Sequence, residues 1–191
     1  MAVAAEQLRF TFRPLISPDL SLLHRWLQEP GVVRWWEGED VSWLAVVADY
    51  APDRPNPDRT EHWIAEIDDD PVGWICCWPV LDGLEESAPW FRFGVSEAAA
   101  GIDYLVADPT RRGKGVGSAM IRAFTYNVVF GRHCDWVQVA ASPYAANVAS
   151  CRALENAGFQ FAGSIVYPDD EDEGPCSLMV LDRPDVDGMS T

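Results

Sequence analysis

The sequence predicts a single α/β domain built around one mixed sheet, and three observations carry that expectation. The chain has 191 residues, 48% of them apolar and nine of them tryptophan, enough for one core and too apolar for a disordered segment. Seven short segments have strand character, and four others place apolar residues at helical spacing. Their order, β-α-α-β-β-β-α-β-α-β-β, contains no repeat and no linker, so residues 1–191 form one layered domain.

Each element has its own reason. "LRFTFRPL" (8–15) alternates apolar and polar residues and reads as a strand. Ser17-Pro18-Asp19 reads as a helix start: Ser17 as N-cap, Pro18 at the first helical position, Asp19 favourable to the helix dipole. Leu20, Leu23 and Leu27, with Trp26, form the apolar face of that helix, and Pro30-Gly31 stops it. "VVRWWEGED" (32–40) is an aromatic and acidic connector, "VSWLAVVADY" (41–50) a second helix, and "APDRPNPDRT" (51–60) a proline-rich loop. "HWIAEI" (62–67) and "VGWICCWPV" (72–80) read as strands joined by a turn. Residues 81–100 read as a long irregular loop carrying Glu85, Glu86, Trp90 and Phe91, and loops of that length in a compact domain are usually functional or disordered.

"GIDYLVA" (101–107) is the next strand, and Gly113 to Gly117 lead into a helix over 116–130. "DWVQVAA" (135–141) is a strand, and "YAANVASCRALENAGF" (144–159) a helix ended by Gly158. "QFAGSIVYP" (160–168) and "CSLMVLD" (176–182) close the chain as strands around the acidic turn "DDEDEG" (169–174), and the tail after Arg183 is expected to fray.

A formal charge of −16 argues against nucleic acid or an anionic membrane as partner. No apolar run is long enough to span a bilayer, and the N-terminus lacks the basic and apolar regions of a signal peptide. The expected location is therefore the cytoplasm. Cys76, Cys77, Cys134, Cys151 and Cys176 are odd in number and fit no disulfide or metal-ligand spacing; no metal site is expected. The charge is unevenly spread: residues 109–134 hold five cations and no acid, leaving −21 to the rest of the chain. One positive island in a negative surround implies two ligands of opposite sign.

The island contains "RRGKGVGSAM" (111–120), with the chain's single lysine, Lys114, among three alternating glycines. A P-loop would need Ser or Thr after that lysine, where Gly115 stands, and a dinucleotide fingerprint lacks its last glycine and its downstream acid. The pattern Arg/Gln-x-x-Gly-x-Gly/Ala after a strand and before a long helix is satisfied by Arg112 to Gly117. Glycines there let several backbone N–H groups and the helix N-terminus converge on one anion. Arg111, Arg112 and Lys114 are then in reach of outlying phosphates.

Together with "NVASCRALENAGF" (147–159), this loop resembles the signature of the GNAT superfamily of N-acetyltransferases, and the likeness extends over residues 8–182. The resemblance implies a mostly antiparallel sheet, splayed at a cofactor cleft, with acetyl-coenzyme A as co-substrate. Arg111, Arg112, Gly113, Lys114, Gly115, Val116, Gly117 and Ser118 would bind its pyrophosphate, with Asn147 beside the pantetheine arm. The backbone around Tyr104, Leu105 and Val106 would face the thioester.

Among GNAT enzymes the sequence is most similar to the aminoglycoside 6′-N-acetyltransferases, through "VVRWWEGE", the acidic-aromatic segment 82–92, "GID" and "YPDDEDEG". That likeness implies a cationic amine, an aminoglycoside, as acceptor, and an enzyme of antibiotic resistance; the expected assembly is a monomer or homodimer. Asp103 would receive the amine's proton, and Trp35, Trp36, Glu37, Glu85, Glu86 and Asp169 would surround the acceptor with Asp103. Hydroxylysine of a siderophore precursor, a polyamine, and a non-catalytic coenzyme-A-binding module are the alternatives. One departure stands out: many members carry a tyrosine that protonates the leaving thiolate where this chain has Leu154. Ser150, Cys151, Tyr144 or water are the substitutes left open.

Overall fold

The computed structural model describes residues 8–36, 40–56, 59–167 and 174–185. Seven strands form one sheet in the order β1-β2-β3-β4-β5-β7-β6: Phe10–Pro14, Glu61–Ile67, Asp70–Pro79, Ala99–Val106, Gln138–Ala141, Cys176–Asp182 and Gln160–Ile165. All neighbouring pairs are antiparallel except β4 and β5, so the mixed sheet predicted from the sequence is present.

Helices flank it: α1 (Leu20–Leu27), α2 (Pro30–Val33), α3 (Trp43–Tyr50), α4 (Leu84–Ser87), α5 (Val116–Phe124), α6 (Phe130–Arg132) and α7 (Val148–Ala157). β3 reads as a nearly unbroken buried run because both its faces are covered. The turn between β2 and β3 is tight: Asp68 and Asp69 both take positive φ, the two-residue hairpin geometry that aspartate tolerates.

Several local expectations change. Ser17 does not cap α1. A 3₁₀ turn spans Ser17–Asp19, and the Asp19 carboxylate accepts the Ile16 N–H at 3.0 Å while pairing with Arg13 at 2.5 Å. Pro30-Gly31 does more than end α1: Glu29 accepts the Gly31 N–H and Pro30 opens the short helix α2. Residues 81–100 are not irregular throughout, since α4 and a 3₁₀ turn over Ala88–Phe93 occupy the middle. β5 is shorter than predicted, beginning at Gln138, and α5 runs through a π-helical turn (Thr125–Val129) into α6. The tail from 186 onward lies outside the described residues, and β7 ends at Asp182.

One feature of the sheet positions the site. β4 pairs with β5 only over Ala99, Ala100 and Gly101, while on its other side it stays paired with β3 as far as Val106. Beyond Gly101 the two central strands part. A cleft of about 610 Å³ opens there, walled by the end of β4, by residues 141–144, by the first turn of α7 and by Trp35 and Trp36. Gly101 faces Trp78 across the β3–β4 ladder, and a Cβ at 101 would stand 2.3 Å from the indole ring. The glycine lets that indole lie flat against β4.

Candidate active site

The glycine-rich loop lies at the end of β4 and the start of α5. Asp108 accepts the Thr110 N–H at 2.7 Å and shapes a 3₁₀ turn over Pro109–Arg111. Gly113 and Gly115 then take positive φ, +69° and +80°, with Gly115 as the N-cap of α5. A side chain at either would be strained, which explains glycine at these two positions. Gly117 lies inside α5 with no such requirement, and Ser118 follows it on the same helix. Val116, Met120, Ile121 and Phe124 anchor α5 in the core, so its N-terminal N–H groups are held in place at the loop.

The three cations of the loop differ. Arg112 is committed to structure: it pairs with Glu29 at 2.5 Å and donates to the Val106 and Ala107 carbonyls at 3.0 and 3.4 Å. Arg111 pairs with Asp70 at 3.0 Å and with Asp108 at 3.5 Å. Lys114 is exposed, and no partner is seen for it among the described residues.

Asp103 stands two residues past Gly101, where β4 leaves β5. Its Oδ2 accepts the Trp78 indole N–H at 3.3 Å and the Cys76 thiol at 3.7 Å. Burial raises its pKa, and those two hydrogen bonds to the ionised form oppose the rise. Glu86, from α4, reaches the same cleft. Burial first, and then the charge of Asp103, push its pKa up to about 8, against a 3.1 Å hydrogen bond from Ser142.

A small polar network frames Glu86. Trp90 donates to the Tyr167 hydroxyl at 2.8 Å, which in turn donates to the Glu86 carbonyl at 3.1 Å and lies 3.3 Å from Ser142 Oγ. Trp35, Trp36, Glu85, Glu86 and Asp103 thus line one cleft together with Tyr104 and Asn147. Trp36 packs edge-on against Trp74 at 6.2 Å, so it is both core edge and cleft wall, and Arg34 stacks over Trp35 at 4.8 Å. Leu105 is buried against the core, and Val106 follows it at the end of β4. Glu37 and Asp169 lie outside the described residues.

A second cavity of about 370 Å³ shares Tyr50, Trp74, Glu86 and Asp103 with the first and continues past Thr60 and His62. Sequence reasoning missed Tyr50, Trp74, Trp78, Ser142 and Tyr167. Trp78 needs an acceptor for its buried indole N–H, and the β3–β4 register supplies one by setting Asp103 opposite Cys76, diagonal to the indole. Away from the cleft, Glu61, Cys77 and His133 bring ligand atoms within 4.8 Å of one another, a grouping that cysteine spacing could not reveal. Cys76, Cys77 and Cys176 are buried, Cys151 is half-buried and Cys134 is exposed; all five are free.

A helix N-terminus behind a glycine turn at one end of a parted strand, and a buried carboxylate in an acid-lined cleft beside it, form one candidate site. Comparison with known proteins gives its class. Residues 16–167 match the acetyltransferase (GNAT) domain, and the chain belongs to that family. It is 28% identical over 175 residues to the aminoglycoside N(6′)-acetyltransferase type 1 of Klebsiella pneumoniae, covering 91% of this chain and 83% of that protein. Its fold matches aminoglycoside acetyltransferase AAC(6′)-Ib, solved with coenzyme A and kanamycin, with a TM-score of 0.77 and 26% identity over 92% of this chain and 95% of that one. The aminoglycoside N(6′)-acetyltransferase of Legionella pneumophila shares the fold at a TM-score of 0.68, with 20% identity, covering 92% of this chain and 93% of that one. No helix among the described residues is long and apolar enough to cross a membrane.

Proposed function

We propose that the protein moves the acetyl group of acetyl-coenzyme A to the 6′-amine of an aminoglycoside. The observation that supports this best is the placement of Asp103. It stands at the parting of β4 and β5, where a donor threaded between the strands meets an amine arriving from the acid-lined cleft. The loop Arg111–Ser118 holds the donor's diphosphate through the N–H groups at the start of α5, with Lys114 free to add a charge-assisted contact. Arg112 braces that loop rather than reaching outward. The β4 edge from Ile102 to Val106 offers peptide groups to the extended pantetheine arm, and Asn147 stands beside it. The Leu105 N–H points into the β3 ladder, in step with the Ala107 N–H that meets the Val72 carbonyl, so it is the Tyr104 N–H, on the free edge of β4, that polarises the thioester carbonyl.

An alkyl ammonium has a pKa of about 10 and must lose a proton before it attacks a thioester. Asp103 takes that proton, directly or through water, and its raised pKa suits the task. Glu85, Glu86 and the faces of Trp35 and Trp36 attract and seat a polyamine, and the net charge of −16 draws it in. The cytoplasm, where the donor is made, goes with this reading, as does a role in antibiotic resistance. The test is thiol release from acetyl-coenzyme A with kanamycin and ribostamycin, followed by NMR of the product to place the acetyl group. A small linear amine that supports turnover while no aminoglycoside does would overturn the acceptor assignment.

A further inference from the structure

We propose that the Tyr104 side chain, seated against Ser150, is the proton donor to the departing thiolate. The inference rests on the acetyl-transfer reading above. Breaking a thioester C–S bond leaves sulfur with the bonding pair, and a positioned acid stabilises that charge as it forms. Leu154, where a donor is expected from the family likeness, is fully buried in the core. Cys151 directs its thiol to the Tyr144 carbonyl at 3.8 Å.

Tyr104 is placed differently. It leaves β4 one residue after Asp103, so strand alternation sends the two side chains to opposite faces of the parted strand. The phenol crosses to α7, where its oxygen lies 2.6 Å from Ser150 Oγ and 3.4 Å from the Ser150 carbonyl, and both residues line the cleft. The amine enters from the Asp103 face and the thiol departs from the Tyr104 face, the geometry that addition followed by elimination needs. Ser150 sits in the first turn of α7, its N–H accepted by the Asn147 cap at 3.1 Å. The positive end of that helix favours the phenolate that forms when the proton leaves. Burial raises the phenol's pKa, which keeps it protonated at rest but opposes giving the proton up; the Ser150 hydrogen bond works the other way, and the thiolate charge developing beside the phenol has to draw the proton across.

The proton balance closes. The amine nitrogen bonds to the acetyl carbon, the C–S bond breaks, and sulfur takes the Tyr104 proton. The ammonium loses two protons on becoming an amide: one leaves by Asp103 to solvent, and the other restores the phenol through solvent at Ser150.

Two measurements test this on the full chain. By calorimetry at about pH 9, without acceptor, the wild type binds coenzyme A ~5-fold or more tighter than desulfo-coenzyme A, as one hydrogen bond to sulfur requires. Tyr104→Phe removes that preference while binding desulfo-coenzyme A normally, which also shows that the variant is folded. In turnover, Tyr104→Phe lowers kcat by ~10²-fold and moves the KM for acetyl-coenzyme A by less than ~3-fold. Ser150→Ala lowers kcat in the same direction by a smaller factor. A wild type with no preference, a Tyr104→Phe kcat within ~3-fold of wild type, or loss of the preference in Tyr144→Phe instead would each overturn the proposal. If the wild type acetylates no amine, the acetyl-transfer reading fails, and the calorimetric comparison still decides the sulfur contact.

Discussion

Glu86 and Asp103 come from different elements, a four-residue helix and a central strand, and line the same two adjoining cavities. Each carboxylate is raised by burial, and the charge of Asp103 adds to the rise at Glu86. Similar chemistry thus meets two settings: Asp103 is steadied by an indole and a thiol, Glu86 by a serine hydroxyl.

The setting of Asp103 predicts the effect of removing its base function. Asp103→Asn keeps the shape and the Trp78 contact but accepts no proton, so acetylation at neutral pH falls by ~10²-fold or more. Steady-state rates with saturating acetyl-coenzyme A measure it, and a rate near wild type would remove Asp103 from that role.

Glu86 predicts a pH dependence of stability. Its pKa rises from 4.5 in the unfolded chain to about 8 in the fold, so the native state binds the extra proton between those values. Unfolding free energy contributed by this group is therefore full below about 4.5 and declines as pH rises toward about 8. Glu86→Gln removes the decline: its melting temperature gains on wild type between pH 5 and pH 8.5 and holds level above. Thermal melts across that range, without ligand, report it.

The same carboxyl predicts a kinetic limb. Only ionised Glu86 attracts an ammonium, so kcat/KM for a polyamine acceptor climbs as pH approaches 8 in the wild type and is flatter in Glu86→Gln. A pH profile with a polyamine and with a monoamine separates this limb from Asp103.

Gly101 and Trp78 predict a coupled loss. A methyl at 101 collides with a ring that cannot bend away, so Gly101→Ala displaces the indole and breaks its bond to Asp103. Stability falls by about 1–3 kcal/mol, the range for overpacking, and the rate falls further than that loss explains. Denaturant melts and initial rates on the same preparation give both numbers.

Arg112 and Lys114 predict signatures that differ in stability within one loop. Arg112→Ala leaves Glu29 unpaired and two carbonyls unserved, which lowers the melting temperature and raises the KM for acetyl-coenzyme A. Lys114→Ala breaks no bond seen among the described residues, so it raises that KM by ~3–10-fold, more at low salt, and leaves the melting temperature unchanged.

Much of the fold is legible in the sequence because the strands are short apolar runs between unmistakable breaks. Asp68-Asp69 and Gly158 do what their residue types favour. The order of the last three strands is not legible, since nothing local says that β7 inserts between β5 and β6. Residues 84–93 form helical turns where the sequence reads as loop: their stability comes from Trp90 and Ser87, fully buried by tertiary packing, not from propensity. In the site, Asp103, Glu85, Glu86, Trp35 and Trp36 line one cleft. What the motifs cannot tell is how cations are shared out. Arg112 looks identical in sequence whether it grips a phosphate or its own backbone, and Glu29, the residue that decides, is 83 positions away.

The single lysine has a practical consequence. Lys114 is the chain's sole side-chain primary amine, and it stands exposed where the donor's diphosphate is proposed to rest. Among side chains an amine-directed fluorophore can therefore attach only there, so ordinary bioconjugation, with label on the α-amino group separated off, sets an optical reporter of nucleotide occupancy beside the proposed donor site without engineered cysteines or added tags.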